Sequence, residues 1–328
     1  MSRSKELLAE IVGSVADGLG SMHSILEAEL QDPSAAVSDM LDHAARFRGK
    51  QLRGAMVLLS GEATGNTTDE HSKVAAIVEM IHLATLVHDD ILDGAEVRRR
   101  VACVNQRWNN QVAVLLGDYL YSRAFALSTT LSSRLCSSLL AQTTKTICVG
   151  EIEQSTLRYD FEMTQDRYEG VCGAKTASLF AAACELGARY PNGDEQAGAV
   201  MRSVGWNMGL GFQIIDDYLD VTATEEVVGK TVGCDVEDGK VTLPVLHVYK
   251  SASESERERI REIYTQPDLE NRMDTLRESV NLEAGLVFAR ARAMELIENA
   301  LGSLGTLPES QARTSIESIG EFFLDRNW

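Results

Sequence analysis

Proline is scarce in this chain of 328 residues, where it occurs five times at widely separated positions. Strand-like alternation of apolar and polar residues is also missing, and the segments between prolines follow a 3.6-residue period instead. One apolar stripe of this kind runs through Met80, Ala84, Val87 and Ile91. The shortage of helix breakers and strand patterns predicts an all-α fold. No shift in composition marks a linker, so we expect a single large helical domain over 1–328.

Long apolar runs and closely spaced cysteines are absent as well. No stretch approaches about 18 uninterrupted apolar residues, so no transmembrane helix is expected. The segment from Met1 to Leu30 mixes charges with apolar residues and lacks the apolar core of a secretory signal. No two of the six cysteines lie within four residues of each other, which excludes the CxxC spacing of zinc sites. We therefore expect reduced thiols in a cytoplasmic protein.

Basic residues are outnumbered by acidic ones. The chain has 31 Lys and Arg against 49 Asp and Glu, which gives a formal net charge of −18. This excess of negative charge argues against a nucleic-acid partner, because a phosphate backbone is bound through basic surface. An acidic protein with an anionic substrate must gather its few cations locally or recruit metal ions.

Two groups of the form Asp-Asp-x-x-Asp stand out in apolar helical segments. They consist of Asp89, Asp90 and Asp93, and of Asp216, Asp217 and Asp220. Positions i, i+1 and i+4 share one side of a helix, and two carboxylates about 5 Å apart repel by roughly 3 kcal/mol at an effective dielectric of 20. A solvated acidic face is the ordinary interpretation of one such group. Two groups in one chain favour Mg²⁺, which bridges one or two carboxylates to phosphate oxygens.

Seven basic residues recur along the chain, and two of them follow the first acidic group within a few residues. The seven are Lys50, Arg53, Arg98, Arg99, Lys175, Lys230 and Lys240. Arginine forks suit phosphate oxygens, and lysine supplies a point charge. Each of these residues alone is typical of an ordinary surface. Their recurrence beside the acidic groups indicates sites for diphosphate.

Together these residues resemble the trans-type polyprenyl diphosphate synthase family, especially its bacterial medium- and long-chain members, over roughly 49–247. Besides both acidic groups, the shared motifs are Gly49-Lys50-x-x-Arg53, His82, Arg98-Arg99, Gly117-Asp118, Lys175-Thr176, Gln213, and Gly229-Lys230 through Gly239-Lys240. The resemblance implies an all-α bundle around a deep central cavity and a homodimer. It also implies Mg²⁺-dependent, head-to-tail condensation of isopentenyl diphosphate with an allylic prenyl diphosphate.

The resemblance also implies roles for single residues. The leading ligands of three Mg²⁺ ions, with bound diphosphate, would be Asp89, Asp93 and Asp216, supported by Asp90, Asp217 and Asp220. The allylic diphosphate would be held by Arg98, Lys175, Thr176, Gln213, Lys230 and Lys240. Isopentenyl diphosphate would be held by Lys50, Arg53, His82 and Arg99. Catalysis would depend most on Asp89, Asp93, Asp216, Lys175 and Arg98. By itself His82 is typical of a core histidine, and only its place seven residues before Asp89 favours a ligand.

Four residues depart from the family pattern: Gln51, Gly54, Arg100 and Ala102. The family usually has a second basic residue, a proline, a glycine and a proline at these positions. The implied ligands are all retained, so we expect an active enzyme in which the loop 98–105 has its own conformation.

Product length is predicted from residues one or two turns before the first acidic group. An aromatic residue near Ala84 or Thr85 closes the cavity in family members that make short products, and both residues are small here. With Ile81 and Met80 they would line the path of the growing chain. We expect a product longer than C15, about C25–C50, and a shorter one from Ala84→Phe.

Three alternatives stay open at this point. A farnesyl or geranylgeranyl diphosphate synthase would make a shorter product. A class I terpene cyclase would be expected to lack the second Asp-Asp-x-x-Asp group and the Lys50/Arg53 pair. A regulatory subunit of a heteromeric synthase would be expected to have lost some of the six aspartates.

Overall fold

The computed structural model describes residues 3–222, 233–267, 269 and 271–325, and most of these are helical, which confirms the all-α prediction. The first helices are α1 Arg3–Ile11, α2 Ala16–Glu29, α3 Ala35–Ala44, α4 Leu52–Ala63, α5 His71–Leu92, α6 Val104–Arg107, α7 Asn110–Ser128, α8 Leu135–Thr156 and α9 Gln165–Cys172. They are followed by α10 Ser178–Arg189, α11 Glu195–Thr222, α12 Cys234–Glu237, α13 Leu243–Ser251, α14 Glu254–Thr265, α15 Arg272–Ser279, α16 Glu283–Leu304 and α17 Gln311–Leu324.

The chain groups into two compact units. The first comprises the described parts of 1–144, 179–205 and 301–319, and the second those of 145–178, 206–300 and 320–328. That the whole of 1–328 folds as one domain remains a prediction. Among the described residues, no helix combines the length and the apolar character needed to cross a bilayer.

Helix α5 is the centre of the first unit. Met80, Ala84 and Val87 of its apolar stripe are buried, and Ala84 and Val87 pack in one cluster with Phe47 and with Leu120 of α7. Helices α5 and α7 come close at Gly117, where an added Cβ would lie 2.1 Å from Nε2 of His88. A larger residue at this position would force the His88 ring to move, and this contact explains part of the Gly117-Asp118 motif in physical terms.

The second unit has its own apolar core, around residues 206–222 of α11. Ile214 packs there with Leu246, Ile260 and Leu276. The ring of Phe161 lies 4.9 Å from that of Tyr249 in the same core. Burial of this face of α11 leaves the acidic group near its C-terminal end fixed to a rigid element.

A two-stranded antiparallel hairpin, which the sequence patterns did not reveal, follows α5. Strand β1, Val97–Arg98, pairs with β2, Val101–Ala102. The two turn residues, Arg99 and Arg100, have φ of 52° and 65°. Positive φ at both central positions is the requirement of a type I′ turn, where glycine is favoured at the second position. Positive φ therefore explains why the family usually has glycine at position 100. Arg100 occupies a strained conformation there.

Replacing Arg100 with glycine is expected to raise the free energy of unfolding by about 1 kcal/mol. The left-handed region costs an L-residue roughly 1–2 kcal/mol, and the extra entropy that glycine loses on folding offsets part of this gain. Urea unfolding measures the difference. The matched control is Arg100→Ala, which removes the charge but keeps Cβ and should not be stabilised. Equal stability of all three proteins would contradict the strain.

The Gly, Pro, Asn and Asp residues of 189–195 and 229–239 predict loops, and Pro33 and Pro267 predict helix starts. The predicted loop from Arg189 to Glu195 is confirmed, since α10 ends at Arg189 and α11 begins at Glu195. Pro33 lies two residues before α3, as expected of a helix start. Pro267 instead follows the end of α14, so the helix start predicted there was wrong. Part of the predicted loop 229–239 folds as α12, because the side chain of Asp220 caps that turn.

Candidate active site

One polar stripe of α5 keeps some exposure in a helix that is otherwise mostly buried. His82, Thr85 and Asp89 are half-buried and succeed one another at intervals of three and four residues. Asp93, also half-buried, caps the C-terminus of α5, and its N–H donates to the carbonyl of Asp89 at 2.8 Å. The helix thus places a row of polar side chains on one face that ends in the first acidic group.

Asp90 differs from its two companions because it is fully buried. Its Oδ1 accepts a hydrogen bond from Nε of Arg98 in β1 at 2.7 Å. Burial raises the pKa of this carboxyl group, while the charge and hydrogen bond of Arg98 pull it back down. Asp90 therefore anchors the hairpin that carries Arg98, the predicted diphosphate ligand, to the end of α5.

Arg53 and His82, which the sequence assigned to isopentenyl diphosphate, are in direct contact. Nη1 of Arg53 donates to Nε2 of His82 at 3.0 Å, so the histidine proton lies on Nδ1. The guanidinium also stacks on the ring of Phe180, 4.3 Å from its centre. Burial lowers the pKa of Arg53 to about 10, and burial with three nearby arginines holds the pKa of His82 well below its usual value. At neutral pH this pair is a charged arginine beside a neutral histidine.

Arg99 belongs to the same region of the first unit. Its guanidinium packs against Gly49, where an added Cβ would lie 2.0 Å from Nη2 of Arg99. Lys50 follows directly in the sequence and is half-buried. The glycine of the Gly49-Lys50 motif therefore makes room for the second arginine of the hairpin.

The four residues predicted to line the product pocket are not equally accessible. Met80, Ile81 and Ala84 are fully buried, and Ala84 packs in the cluster that contains Phe47. Thr85 alone among the four has exposed surface, and its hydroxyl donates to the carbonyl of His82 at 2.8 Å. Thr85 is thus the predicted pocket residue that shares the stripe of Asp89.

The second acidic group repeats the division seen in the first. Asp216 is half-buried, whereas Asp217 and Asp220 are buried. Asp217 accepts a short hydrogen bond from the Tyr168 hydroxyl and another from Nε2 of Gln213 at 2.8 Å. Burial, with a smaller contribution from the two neighbouring carboxylates, raises the pKa of Asp217 to about 6 against the opposing effect of these hydrogen bonds. Asp217 is held in place by the protein itself.

Lys175 and Thr176 lie in a π-helical segment, Gly173–Ala177. Such segments are rare and occur frequently at functional sites. The Thr176 hydroxyl donates to Oε1 of Gln213 at 2.7 Å, so two predicted ligands of the allylic diphosphate are joined to each other. Nζ of Lys175 donates to Glu151 at 2.9 Å and to Gln154 at 3.0 Å.

Asp220 organises the chain that leads to Lys240. Its two carboxylate oxygens accept the backbone N–H groups of Gly233 and Asp235 at 3.0 and 3.1 Å, at the start of α12. Nζ of Lys240 lies 2.9 Å from a carboxylate oxygen of Asp238. Lys230, the other cation predicted on this segment, lies outside the described residues.

The six aspartates divide equally between two environments. Asp89, Asp93 and Asp216 are half-buried, and Asp90, Asp217 and Asp220 are buried and hydrogen-bonded within the protein. Within the described ranges, no three His, Cys, Asp or Glu side chains converge closely enough to hold a metal ion by themselves. Mg²⁺ usually binds one or two carboxylates and completes its shell with water and phosphate oxygens. The half-buried carboxylates fit that requirement, since each is held on a helix end whose neighbouring aspartate is fixed.

Some residues that shape these sites were missed in the sequence. Glu79 lies next to Arg53, Tyr168 binds Asp217, and Glu151 pairs with Lys175. Glu79 precedes His82 by three residues, which places both on adjacent positions of one helix face. That spacing was a usable signal. Tyr168 lies 49 residues from Asp217 and Glu151 lies 24 residues from Lys175, and nothing in the sequence pattern indicates these two contacts.

Comparison with known proteins agrees with this geometry. The Polyprenyl synthetase family model matches residues 34–281. A short chain isoprenyl diphosphate synthase of Methanothermobacter thermautotrophicus is 36% identical over 289 residues, 87% of this chain and 89% of that protein. Heptaprenyl diphosphate synthase component 2 of Bacillus subtilis is 33% identical over 313 residues, 95% of this chain and 89% of that protein.

A solved structure extends the likeness to the fold. The polyprenyl synthase of Caulobacter crescentus, crystallised with calcium and isoprenyl diphosphate, superimposes with a TM-score of 0.93 at 30% identity, covering 98% of both chains. The matched range of the family model includes both acidic groups and every predicted diphosphate ligand. The chain therefore belongs to the polyprenyl synthetase family of prenyltransferases.

Proposed function

We propose that this protein condenses isopentenyl diphosphate head-to-tail with an allylic prenyl diphosphate, in a Mg²⁺-dependent reaction that yields a product longer than C15. The observation that carries the proposal is the division of each acidic group into half-buried carboxylates and buried, hydrogen-bonded ones. A solvated acidic surface has no need of buried aspartates fixed by Arg98 or Tyr168. A site that must hold metal ligands in one geometry does need them.

The half-buried aspartates Asp89, Asp93 and Asp216 are proposed as the leading metal ligands. The buried ones, Asp90, Asp217 and Asp220, keep the helix ends and the adjoining loops in place. Mg²⁺ bound by these residues would neutralise charge that develops on the departing diphosphate. The carboxylates themselves repel one another in each group, so binding of cations is favoured by relief of that repulsion.

The cations are proposed to divide between two diphosphates. Those for the allylic diphosphate are Arg98, Lys175 and Lys240, with Lys230 outside the described residues and with Thr176 and Gln213 as hydrogen-bonding partners. Those for isopentenyl diphosphate are Lys50, Arg53 and Arg99, with His82. Arg98, Lys175 and Lys240 each pair with a carboxylate of the protein, which fixes the positive charge before substrate arrives.

The chemistry follows from these residue types. Cations around the allylic diphosphate stabilise it as a leaving group, so the allylic C–O bond breaks and leaves a delocalised carbocation. The isopentenyl double bond attacks that cation, and a proton is then lost to the released diphosphate. Apolar surroundings keep water from the cation. The charged Arg53 and neutral His82 hold the second diphosphate without supplying a proton acceptor at the reacting carbons.

The proposed product length rests on Thr85 and on the relatives. Thr85 is small and shares the accessible stripe of α5 with Asp89. One relative at 33% identity is named a heptaprenyl diphosphate synthase component, and a heptaprenyl chain is longer than C15. A relative at 36% identity is named a short chain synthase, so direct sizing of the product is required.

Incubation of the purified protein with labelled isopentenyl diphosphate and each allylic primer, with and without Mg²⁺, tests the proposal. Dephosphorylated products are then sized by chromatography. We expect Mg²⁺-dependent incorporation of label into products longer than C15. A main product of C15 would contradict the length. Conversion of the allylic diphosphate to a hydrocarbon in the absence of isopentenyl diphosphate would indicate a terpene cyclase instead.

We also propose that the protein is a homodimer formed through α7. Val114 and Leu115 are adjacent on this helix and expose 44% and 60% of their surface, and neighbouring exposed apolar residues of this size are candidates for a protein interface. A two-fold dimer would bury both copies of the patch at once.

Replacing Leu115 with arginine is expected to convert the dimer to a monomer of 35.9 kDa, as measured by light scattering. Two arginines would face each other or be desolvated at the interface. The control is Val287→Arg on α16, which has similar exposure on a different helix. A wild-type protein that is already a monomer would contradict this interface. An unchanged mass of the Leu115→Arg variant would contradict it as well.

A further inference from the structure

Helix α4 begins without a cap of its own. Gln51 occupies the N-cap position with φ of 50°, and its side chain makes no capping hydrogen bond. The first bond within the helix runs from the N–H of Ala55 to the carbonyl of Gln51 at 3.1 Å. The N–H groups of Leu52, Arg53 and Gly54 therefore have no acceptor inside the helix, and such groups require partners elsewhere when buried.

Glu79 of α5 supplies an acceptor. Its Oε1 accepts the N–H of Gly54 at 2.8 Å, and the N–H of Arg53 is directed at the same carboxyl group. Glu79 is 8% exposed, so its charge is largely removed from water. Burial raises the pKa of Glu79, and the positive end of the α4 dipole, these two N–H groups and the nearby guanidinium groups offset only part of that rise. The side chain of Glu79, which belongs to a neighbouring helix, thus takes the role of an N-cap for α4.

Gly54 is the residue that makes this contact possible in its present form. The family usually has a proline after the arginine, and proline has no N–H to donate. An added Cβ at position 54 would lie 2.5 Å from Sδ of Met22 and 3.1 Å from Cγ of Glu79. The glycine therefore both provides the donor and allows the carboxyl group to approach the helix end closely.

The same carboxylate sets the environment of the Arg53 side chain. That guanidinium is fixed on one side by the ring of Phe180 and on another by Nε2 of His82, and its Nε has no hydrogen-bond partner. The negative charge of Glu79 favours the charged form of Arg53. Glu79 and His82 are three residues apart on α5, so one helix holds both the backbone and the side chain of Arg53.

We propose that Glu79 is a positioning residue that holds Arg53, and the preceding Lys50, in the orientation needed to bind isopentenyl diphosphate. The inference rests on the function proposed above. Glu79 is buried against the start of α4, so the proposal gives it no direct contact with either substrate. It acts through the N-terminus of α4, and its removal should weaken binding of one substrate and leave the other unaffected.

Glu79→Gln is the first test, because glutamine keeps an oxygen that can accept the Gly54 N–H but removes the charge. We expect the KM for isopentenyl diphosphate to rise about tenfold, with kcat and the KM for the allylic primer unchanged. Calorimetric titration with isopentenyl diphosphate alone should show the same weakening without turnover. The matched control is Glu185→Gln, a glutamate of similar burial bonded to Arg189 at 2.6 Å, which should leave both KM values unchanged.

Variants at position 54 test the hydrogen bond from the Gly54 N–H without changing the charge of Glu79. Gly54→Pro removes the N–H and keeps Glu79, whereas Gly54→Ala keeps the N–H and adds only Cβ. The proline variant should weaken binding of isopentenyl diphosphate more than the alanine variant does. This pair also keeps the proposal open to test where Glu79→Gln fails to fold, as judged by circular dichroism.

Two results would overturn the inference while leaving the proposed function intact. One is an active wild-type enzyme whose Glu79→Gln and Gly54→Pro variants bind isopentenyl diphosphate normally. The other is an equal rise of both KM values, which a general loss of structure would produce. A wild-type protein that binds isopentenyl diphosphate but condenses nothing would instead reject the proposed function.

Discussion

Replacing Asp89 or Asp216 with alanine is expected to lower the condensation rate by about a thousandfold or more. Removing one group that stabilises transition-state charge typically costs a factor of 10² to 10³, and loss of a metal ligand affects the bound cation as well. The rate of label incorporation at saturating substrates and Mg²⁺ measures the effect. Each alanine should retain the fold, because both carboxylates are half-buried and each lies beside like charges.

The control for the first variant is Asp39→Ala in the same unit. Asp39 pairs with Arg107 at the surface, with 57% of its side chain exposed, and its loss should leave the rate unchanged. Thermal unfolding of all variants checks that lost activity is not lost structure. Near-normal activity of either the Asp89 or the Asp216 variant would contradict the assignment of the acidic groups as metal ligands.

A phenylalanine at position 85 is expected to shorten the main product to about C15–C20. Thr85 lies four residues before Asp89, or about 6 Å along the helix axis, on the same accessible stripe. A diphosphate held at Asp89 would direct its growing chain along this stripe, where an aromatic ring would block it early. Chromatographic sizing of the dephosphorylated products measures the change.

The matched control for this variant is Thr85→Ser, which keeps the hydroxyl bonded to the His82 carbonyl and should leave product length unchanged. Ala84→Phe is also predicted to shorten the product, but its ring would enter a filled cluster beside Phe47. Overpacking of this kind typically costs about 1–3 kcal/mol, so this variant should melt at a lower temperature than Thr85→Phe. An unchanged product from Thr85→Phe would exclude the stripe as the chain path.

Much of the helical architecture was predictable from local pattern. The apolar stripe through Met80 and Val87 and the acidic group at its end mark the C-terminal half of α5, which begins at His71. The hairpin at 97–102 was not predicted, because two-residue strands are too short to show alternation. The π-helical turn at Gly173–Ala177 was not predicted either, since a single inserted residue in a helix has no signature in composition or period.

The sequence by itself determined the all-α class, the two acidic groups and the family to which the chain belongs. These depend on residue types at fixed short spacings, which a helix converts directly into a shared face. Only the tertiary structure decided that Asp90 and Asp217 are buried, that Thr85 rather than Ala84 has exposed surface, and that Glu79 caps α4. Burial and partners of this kind depend on contacts between residues distant in the chain, and a periodic pattern carries no information about which helix covers which face.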